Sequence, residues 1–255
     1  QAEDGIRDRS PSRGLGDVYK RQVLNEEQTL KKQINLLLDF ISIDLERDYD
    51  ISIVIANNGS TDLTETIGAE LSKKNSNIYM LSSSKRGVGL ALKRSWQTYP
   101  GDFLGYMDLD FASDLSHIQE SLLMLENTDA DIVTGSRLLK SSRVFKRGLL
   151  RTIASISFNK IISLTFDTNF TDGMCGFKFF VNQKLEIFFQ SNVIESDGWF
   201  FATELLIIAE KKGMCIKDIP VHWTDNSFTK VKVISLSLEY LKEIFMLKLR
   251  LRNFK

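Results

Sequence analysis

Sulfur and imidazole are scarce in this chain, whose 255 residues include two cysteines and two histidines. Cys175 and Cys215 stand far apart and lack metal-ligand spacing, which argues against a disulfide framework and for structural thiols in a reducing compartment. His117 at the opening of a helical pattern and His222 in a late strand read as structural, so no clear histidine base is present. Net charge is lacking too. Thirty-three Lys plus Arg balance 33 Asp plus Glu, so no global field recruits nucleic acid, and any basic surface must be local. No apolar run reaches the roughly 18 residues that span a bilayer, and no basic start with an apolar middle marks a signal peptide. These absences predict a protein that is soluble or peripheral to a membrane.

Apolar content, at 43%, suffices for one full core, and one large domain is expected at this length. Residues 1–22, QAEDGIRDRSPSRGLGDVYKRQ, stand apart from it: rich in arginine and glycine, without an apolar period. They read as a leader foreign to the fold, with a native disordered tail as the alternative. From residue 23 helices and strands alternate. LNEEQTLKKQINLLLDFI (24–41) puts Leu30, Ile34, Leu37, Leu38 and Ile41 on one helical face, opened by Asn25 and two glutamates. ISIVIA (51–56) is a short continuous apolar run, as in a strand covered on both faces. TDLTETIGAELSKK, GVGLALKRSWQTY and LSHIQESLLMLEN read as further helices; NIYMLSS, FLGYMDLD and ADIVTGS read as further strands. This alternation predicts an α/β fold with a mostly parallel sheet flanked by helices.

In such sheets ligands sit beyond the carboxyl ends of the strands. ANNGSTD (56–62), SSSKRGVG (82–89) and DLDFAS (108–113) all follow strands and therefore share one edge. Their glycines and asparagines permit tight turns, and their amides and hydroxyls offer hydrogen bonds. KRGVG alone is a weak signal. Asp108-Leu109-Asp110 is sharper, because two carboxylates at a strand end can converge on an oxygen-loving cation such as magnesium or manganese. A solvated acidic turn is the alternative for so short a motif.

Taken together, NEE (25–27), NNGSTD (57–62), RGVGLAL (86–92), YMDLD (106–110), DIVTGSR (131–137), TDGMCGFKFF (171–180) and ELLIIAEKKGMCIKDIPVHW (204–223) resemble the family 2 glycosyltransferases of the GT-A fold. Within that family the chain is most similar to the dolichyl-phosphate mannose and glucose synthases and their bacterial polyprenyl-phosphate relatives. The resemblance runs from about residue 23 to 235. It implies that Asp108 and Asp110 hold Mg2+ or Mn2+ against a nucleotide diphosphate, and that Arg137 joins them in catalysis. It also implies nucleotide-sugar binding by Asn25, Glu27, Asn57, Asn58, Gly59, Ser60, Asp62, Arg86, Gly87, Gly89 and Asp108. Acceptor phosphate falls to Arg137, Lys178, Ser227, Lys230 and Lys232, with Glu204 at a further family position.

The departures are specific. Asn57 stands where the family has an acid, which forfeits a charge-assisted bond about twice as strong as a neutral one. Ala202 replaces the aspartate of F-D-x-E, with Asp197 as a stand-in, and Ala112 replaces a polar residue beside the metal. Upstream, only Val23 and Leu24 remain of the expected apolar first strand. The preceding VYKRQ would bury charge at several kcal/mol per unpaired ion. Most of the first strand is therefore expected to be missing.

The family implies inverting transfer of a hexose from UDP-glucose or GDP-mannose to a polyprenyl or dolichyl phosphate at the cytoplasmic membrane face. The acceptor is already an anion, so no strong base is needed. A family 2 transferase acting on a polysaccharide or protein glycan, and an inactive nucleotide-sugar-binding fragment, are the alternatives. The domain is expected over 23–232, with 233–255 as a basic amphipathic helix. That tail and the basic stretch 141–166 suit an anionic membrane surface as partner, with packing on the sheet as the alternative. Sequons occur at Asn58 and Asn169, and a glycan at Asn58 would block the base-binding turn, which favours a cytosolic face.

Overall fold

The structure is a computed structural model that describes residues 17–191, 193–225 and 233–252. Seven strands form its main sheet: β1 (Asp17–Val23), β2 (Ile51–Asn57), β3 (Ile78–Ser82), β4 (Phe103–Met107), β5 (Ile132–Ser136), β7 (Phe177–Val181) and β8 (Ile216–Pro220). Their order is β3-β2-β1-β4-β7-β5-β8. Strand β7 runs antiparallel between β4 and β5, and every other pair is parallel. A short ribbon pairs β6 (Arg143–Phe145) with β9 (His222–Thr224).

Helices cover both faces, because alternate residues of each strand point to opposite sides. On one side Ile53, Ile55, Phe177 and Phe179 meet α1 (Leu30–Phe40) through Leu30, Ile34 and Leu37, and α4 (His117–Asn127) through Ile118 and Leu122. Helix α2 (Thr64–Lys74) adds Leu71 to this layer. On the other side Val54, Leu104 and Phe180 meet α3 (Val88–Thr98), α5 (Leu149–Phe166), α6 (Asn182–Gln190) and α7 (Phe201–Lys211). The last helix, α8 (Val233–Arg252), packs on this second core through Tyr240, Ile244 and Leu247.

Two boundaries differ from the sequence reading. The first strand is present as backbone: Asp17–Val23 pairs with all seven residues of β2 and with part of β4, within the segment that composition set apart. Ladder bonds use main-chain N–H and C=O groups, so a charged sequence can still supply them. Helix α1 opens at Leu30, not at Asn25, which adopts a left-handed φ of 54° in a turn. Asparagine tolerates that conformation better than most residues. The helix then continues as a π-helical segment, Ile41–Leu45.

At the sheet's centre Gly105 faces Phe179 across β4 and β7, and a Cβ there would lie 2.4 Å from the ring. Overpacking of this kind costs about 1–3 kcal/mol. Gly105→Ala should therefore lower the urea midpoint in equilibrium unfolding while leaving the denaturant slope unchanged.

Candidate active site

Two turns at the carboxyl edge of β1 and β2 are zipped together. The backbone N–H of Asn25 donates to Ser60 Oγ (3.0 Å), and its side-chain oxygen accepts from the Thr61 N–H (2.9 Å). Glu27 N–H donates to Asp62 (3.2 Å), and the Glu27 carboxylate accepts from Leu63 N–H (3.0 Å). Burial opposes ionisation of Asp62, but the hydrogen bonds from Thr64 and Glu27 outweigh it and hold the carboxyl below its usual range. Gly59 turns the chain at φ +72°. Any Cβ there would sit against Arg86 Cγ and Ser83 O, both at 3.4 Å.

Asn57 and Asn58 are buried. Asn57 Oδ1 accepts from Ser60 N–H (3.1 Å), and its amide reaches toward Glu65 (3.4 Å). A carboxylate thus lies beside the position that lost its own. Asn58 Oδ1 accepts from Gly87 N–H at 2.5 Å. Gly87 and Gly89 serve close approach: a Cβ would fall 2.7 Å from Asp197 O and 2.5 Å from Phe201 Cβ respectively. They seat the 195–199 segment against α3 and make no opening of their own.

The acidic pair follows β4. Asp108 is half-buried and Asp110 exposed. Asp110 Oδ1 accepts from Ala112 N–H (3.1 Å), which closes the turn around the left-handed Phe111. Asp108 N–H donates to Gly176 O (3.0 Å), and a Cβ on Gly176 would lie 2.1 Å from Asp108 Oδ2. Gly176 is therefore the cradle of that carboxylate. A small cavity of ≈ 50 Å³ opens beside it, lined by Asp108, Tyr106, Met174, Trp199, Ala202 and Tyr240 among others.

Arg137, at the end of β5, makes a bidentate pair with Asp172: Nε to Oδ2 at 2.7 Å and an η nitrogen to Oδ1 at 2.9 Å. Asp172 is 0% exposed and also accepts from the backbone N–H groups of Arg137 and Met174. Burial would raise its carboxyl pKa, but Arg137 overrides this and lowers it. Asp108 adds to the field that keeps Arg137 charged against burial. The Arg137 and Arg147 guanidinium carbons lie 5.4 and 5.3 Å from the Trp223 ring centroid. Burial and the Arg137 cation push Arg147 down to about 10, and its buried Nε has no partner among the described residues. Strand β9, which carries Trp223, is laced to the acidic turn by Thr224 N–H to Ala112 O (2.8 Å) and Asp114 N–H to His222 O (3.0 Å). The arginines and the acidic pair thus flank one edge.

The remaining polar groups singled out by the sequence have these surroundings. Lys178 is 0% exposed inside β7, with Nζ donating to Cys175 O at 2.5 Å. Burial lowers its pKa. Cys175 beside it is buried, and its thiol is pushed up to about 11 by that burial. Glu204 is buried in α7, where it accepts from the backbone N–H groups of Glu195 (3.1 Å) and Ser196 (2.8 Å) and from Arg250 of α8. His117 Nε2 accepts from His222 N–H (2.9 Å), and Nδ1 meets Glu120 (3.0 Å). Ser227, Lys230 and Lys232 fall outside the described residues. Asp172, Gly176 and Arg147 were missed as site residues by the sequence reading, although TDGMCGFK and the basic stretch contained them.

The carboxyl edge of this α/β sheet gathers a turn of amides, an acidic pair and two arginines, at the place where such sheets bind ligands. The class this architecture defines is that of the GT-A glycosyltransferases. Residues 23–188 match the Glycosyl transferase family 2 model, and the chain belongs to that family of enzymes. It is 29% identical over 211 residues to Glycosyltransferase AglD of Haloferax volcanii, covering 82% of this chain and 33% of that protein. It is 29% identical over 236 residues to a dolichyl-phosphate beta-glucosyltransferase of Dictyostelium discoideum, covering 89% and 72%. The chain thus spans a third of the first of these relatives, and 66% of another, Dolichyl-phosphate beta-glucosyltransferase ALG5A of Trichomonas vaginalis. Among solved structures, glucosyl-3-phosphoglycerate synthase from Mycobacterium tuberculosis in complex with UDP has the same fold. Its TM-score is 0.65 at 17% identity, over 92% of this chain and 80% of that one.

Removing one partner of a buried ion pair costs about 3–5 kcal/mol, so Asp172→Asn should lower stability by that order in chemical denaturation. The folded carboxyl pKa is depressed, so its contribution is fully present above the unfolded value of about 3.9 and is lost as pH falls through the folded value. Below about pH 4 the wild type should therefore lose stability more steeply than the variant.

Proposed function

We propose that this chain transfers glucose from UDP-glucose to a polyprenyl phosphate of the dolichyl type, with inversion at the anomeric carbon. The observation that carries the reading is the convergence at one sheet edge of Asp108 and Asp110 with Arg137 and Arg147. The names of the relatives support the sugar and the lipid.

A divalent ion fits the residues present. Asp108 and Asp110 supply hard oxygen donors, and Gly176 leaves space that a Cβ would fill against Asp108. Among the described residues no group of three or more acidic, His or Cys side chains stands ready to cage a metal. This suits Mg2+ or Mn2+, which take one or two carboxylates and complete their shell with water and substrate phosphate. When bound, the ion neutralises charge on the departing diphosphate.

The protein's own groups then position the reactants. The zipped turns at Asn25–Glu27 and Asn57–Asp62 present amides and hydroxyls to the nucleotide. Arg137, held by Asp172 but keeping donors in reserve, and Arg147, with its unpartnered Nε, face the acceptor phosphate as fixed cations. An acceptor phosphate oxygen attacks the anomeric carbon, the bond to UDP breaks, and the diphosphate leaves with the electron pair. The nucleophile is already ionised, so the absence of a carboxylate at Ala202 costs nothing in this chemistry, whereas a sugar hydroxyl acceptor would need a base there.

The lipid reading also suits the surface. Helices α5 and α8 pack together. Leu149, Leu150, Ile153 and Leu164 on α5, and Leu238, Phe245 and Leu249 on α8, remain exposed. No helix among the described residues is long and apolar enough to cross a membrane. These faces, with Lys242, Lys248 and Arg252 beside them, suit docking at the anionic cytoplasmic leaflet.

The test is transfer of labelled sugar from UDP-glucose or GDP-mannose to a polyprenyl phosphate with Mn2+ or Mg2+. A lipid-linked glucose product is expected, and Asp110→Ala should reduce its rate by about 100-fold or more. Product from GDP-mannose alone would replace the donor assignment, and product on a soluble glycan alone would overturn the acceptor. In vesicle co-sedimentation, Phe245→Asp should weaken binding to phosphatidylserine-containing membranes without altering the fold by circular dichroism.

A further inference from the structure

Trp199 is an unexplained expense in this site. A tryptophan side chain holds the largest apolar payload of any residue, yet this one is 48% exposed. Its neighbours Phe200 and Phe201 are buried, so the exposure belongs to this position and not to the segment. The main chain beneath it is fixed from three sides. Glu204 accepts from Glu195 and Ser196, Tyr240 Oη donates to Trp199 O (3.1 Å), and Leu90 N–H donates to Asp197 O (3.2 Å). Gly89 N–H adds a longer bond to Gly198 O (3.3 Å), and Lys93 pairs with Asp197 at 2.5 Å. A surface aromatic that is exposed for lack of packing would not need so rigid a mount.

Its place decides what it is for. Trp199 lines the same cavity as Asp108, Met174 and Ala202. The cavity is open to the surface beside the half-exposed indole, so a hexose would lie at its mouth. The segment is bonded to the start of α3 through Gly89, Leu90 and Lys93, and α3 directly follows the Arg86–Gly87 turn, which places the indole near the nucleotide side of the site. The first turn of α7 offers Ala202 in place of a hydrogen-bonding side chain, so this wall is apolar. An apolar wall with an aromatic face meets the C–H face of a pyranose ring, while Asp108 lies on the diphosphate side. From this geometry, and resting on the reading of the site as a nucleotide-sugar site, we infer that Trp199 is the platform on which the donor's hexose ring stacks.

The assignment makes Trp199 a determinant of sugar binding, distinct from nucleotide binding. Equilibrium calorimetry with Mn2+ reads this without turnover, comparing UDP-glucose with UDP. Trp199→Ala should weaken UDP-glucose by about 3- to 10-fold, the strength of an aromatic stacking contact, and leave UDP unchanged; Trp199→Phe should recover most of the loss. In steady state the same variant should raise KM for UDP-glucose and leave KM for polyprenyl phosphate unchanged. Equal weakening of UDP and UDP-glucose would mean that the indole only supports the donor turn. A rise confined to the acceptor KM would place it on the lipid. Either result overturns the platform, as does an unaltered UDP-glucose affinity. If the wild type binds neither UDP-glucose and UDP nor GDP-mannose and GDP, the nucleotide-sugar reading itself falls, an outcome visible before any variant is made.

Discussion

The buried Asp172 carboxylate is the constraint on which the β4–β5 edge of this structure depends. It lies in the loop before β7, has no exposure, and gathers the guanidinium and backbone N–H of Arg137, the N–H of Met174 and the amide of Asn159. Asn159 in turn accepts from Gly173 N–H at 2.9 Å. A buried carboxylate is tolerated only when its lone pairs are filled, and this one is filled by groups from α5, β5 and its own loop. The loop is thereby held where Gly176 can lie against Asp108. Asp108 and Arg137 are thus placed by a single ionised group.

The edge at β1 and β2 is held together differently. Its turns carry few buried charges and are joined by backbone N–H groups donating to side-chain oxygens across the gap between β1 and β2. Glu27 donates its N–H to Asp62 and accepts from Leu63 N–H, and Asn25 likewise donates to Ser60 and accepts from Thr61. Rigidity here comes from many neutral or singly charged bonds, each worth about 1 kcal/mol net, with bonds to charged groups worth somewhat more. The 195–199 segment connects this edge to α8 through Glu204, Arg250 and Tyr240. Movement of the last helix would therefore be felt at the Gly87–Gly89 turn.

Much of this was legible in the chain before any coordinates. The apolar run ISIVIA, the D-x-D after FLGYM and the turn NNGSTD located a sheet edge, because strand period and turn chemistry are local properties. The antiparallel β7 was not visible, since FKFFV is apolar on both faces and nothing in it records the direction of its neighbours. The burial of Lys178 was not visible for the same reason, and only the β4–β7–β5 pairing shows it. Asn25 was taken for the opening of a helix that begins five residues later, where its left-handed turn ends. Charge content likewise argued against a strand at Asp17–Val23, whereas main-chain pairing supplies one.

Composition and local pattern, then, determined the class of fold, the family and the edge that carries the chemistry, because hydrophobic period, turn residues and collinear motifs are written residue by residue. Tertiary structure alone decided which polar groups are exposed at that edge and which are internal struts. Arg137 and Asp172 are distant in sequence and became one unit; Gly176 became a cradle because Asp108 lies against it; Trp199 became conspicuous because its neighbours are buried and it is not. These are relations between distant segments, and burial and distance are quantities that a linear chain does not contain.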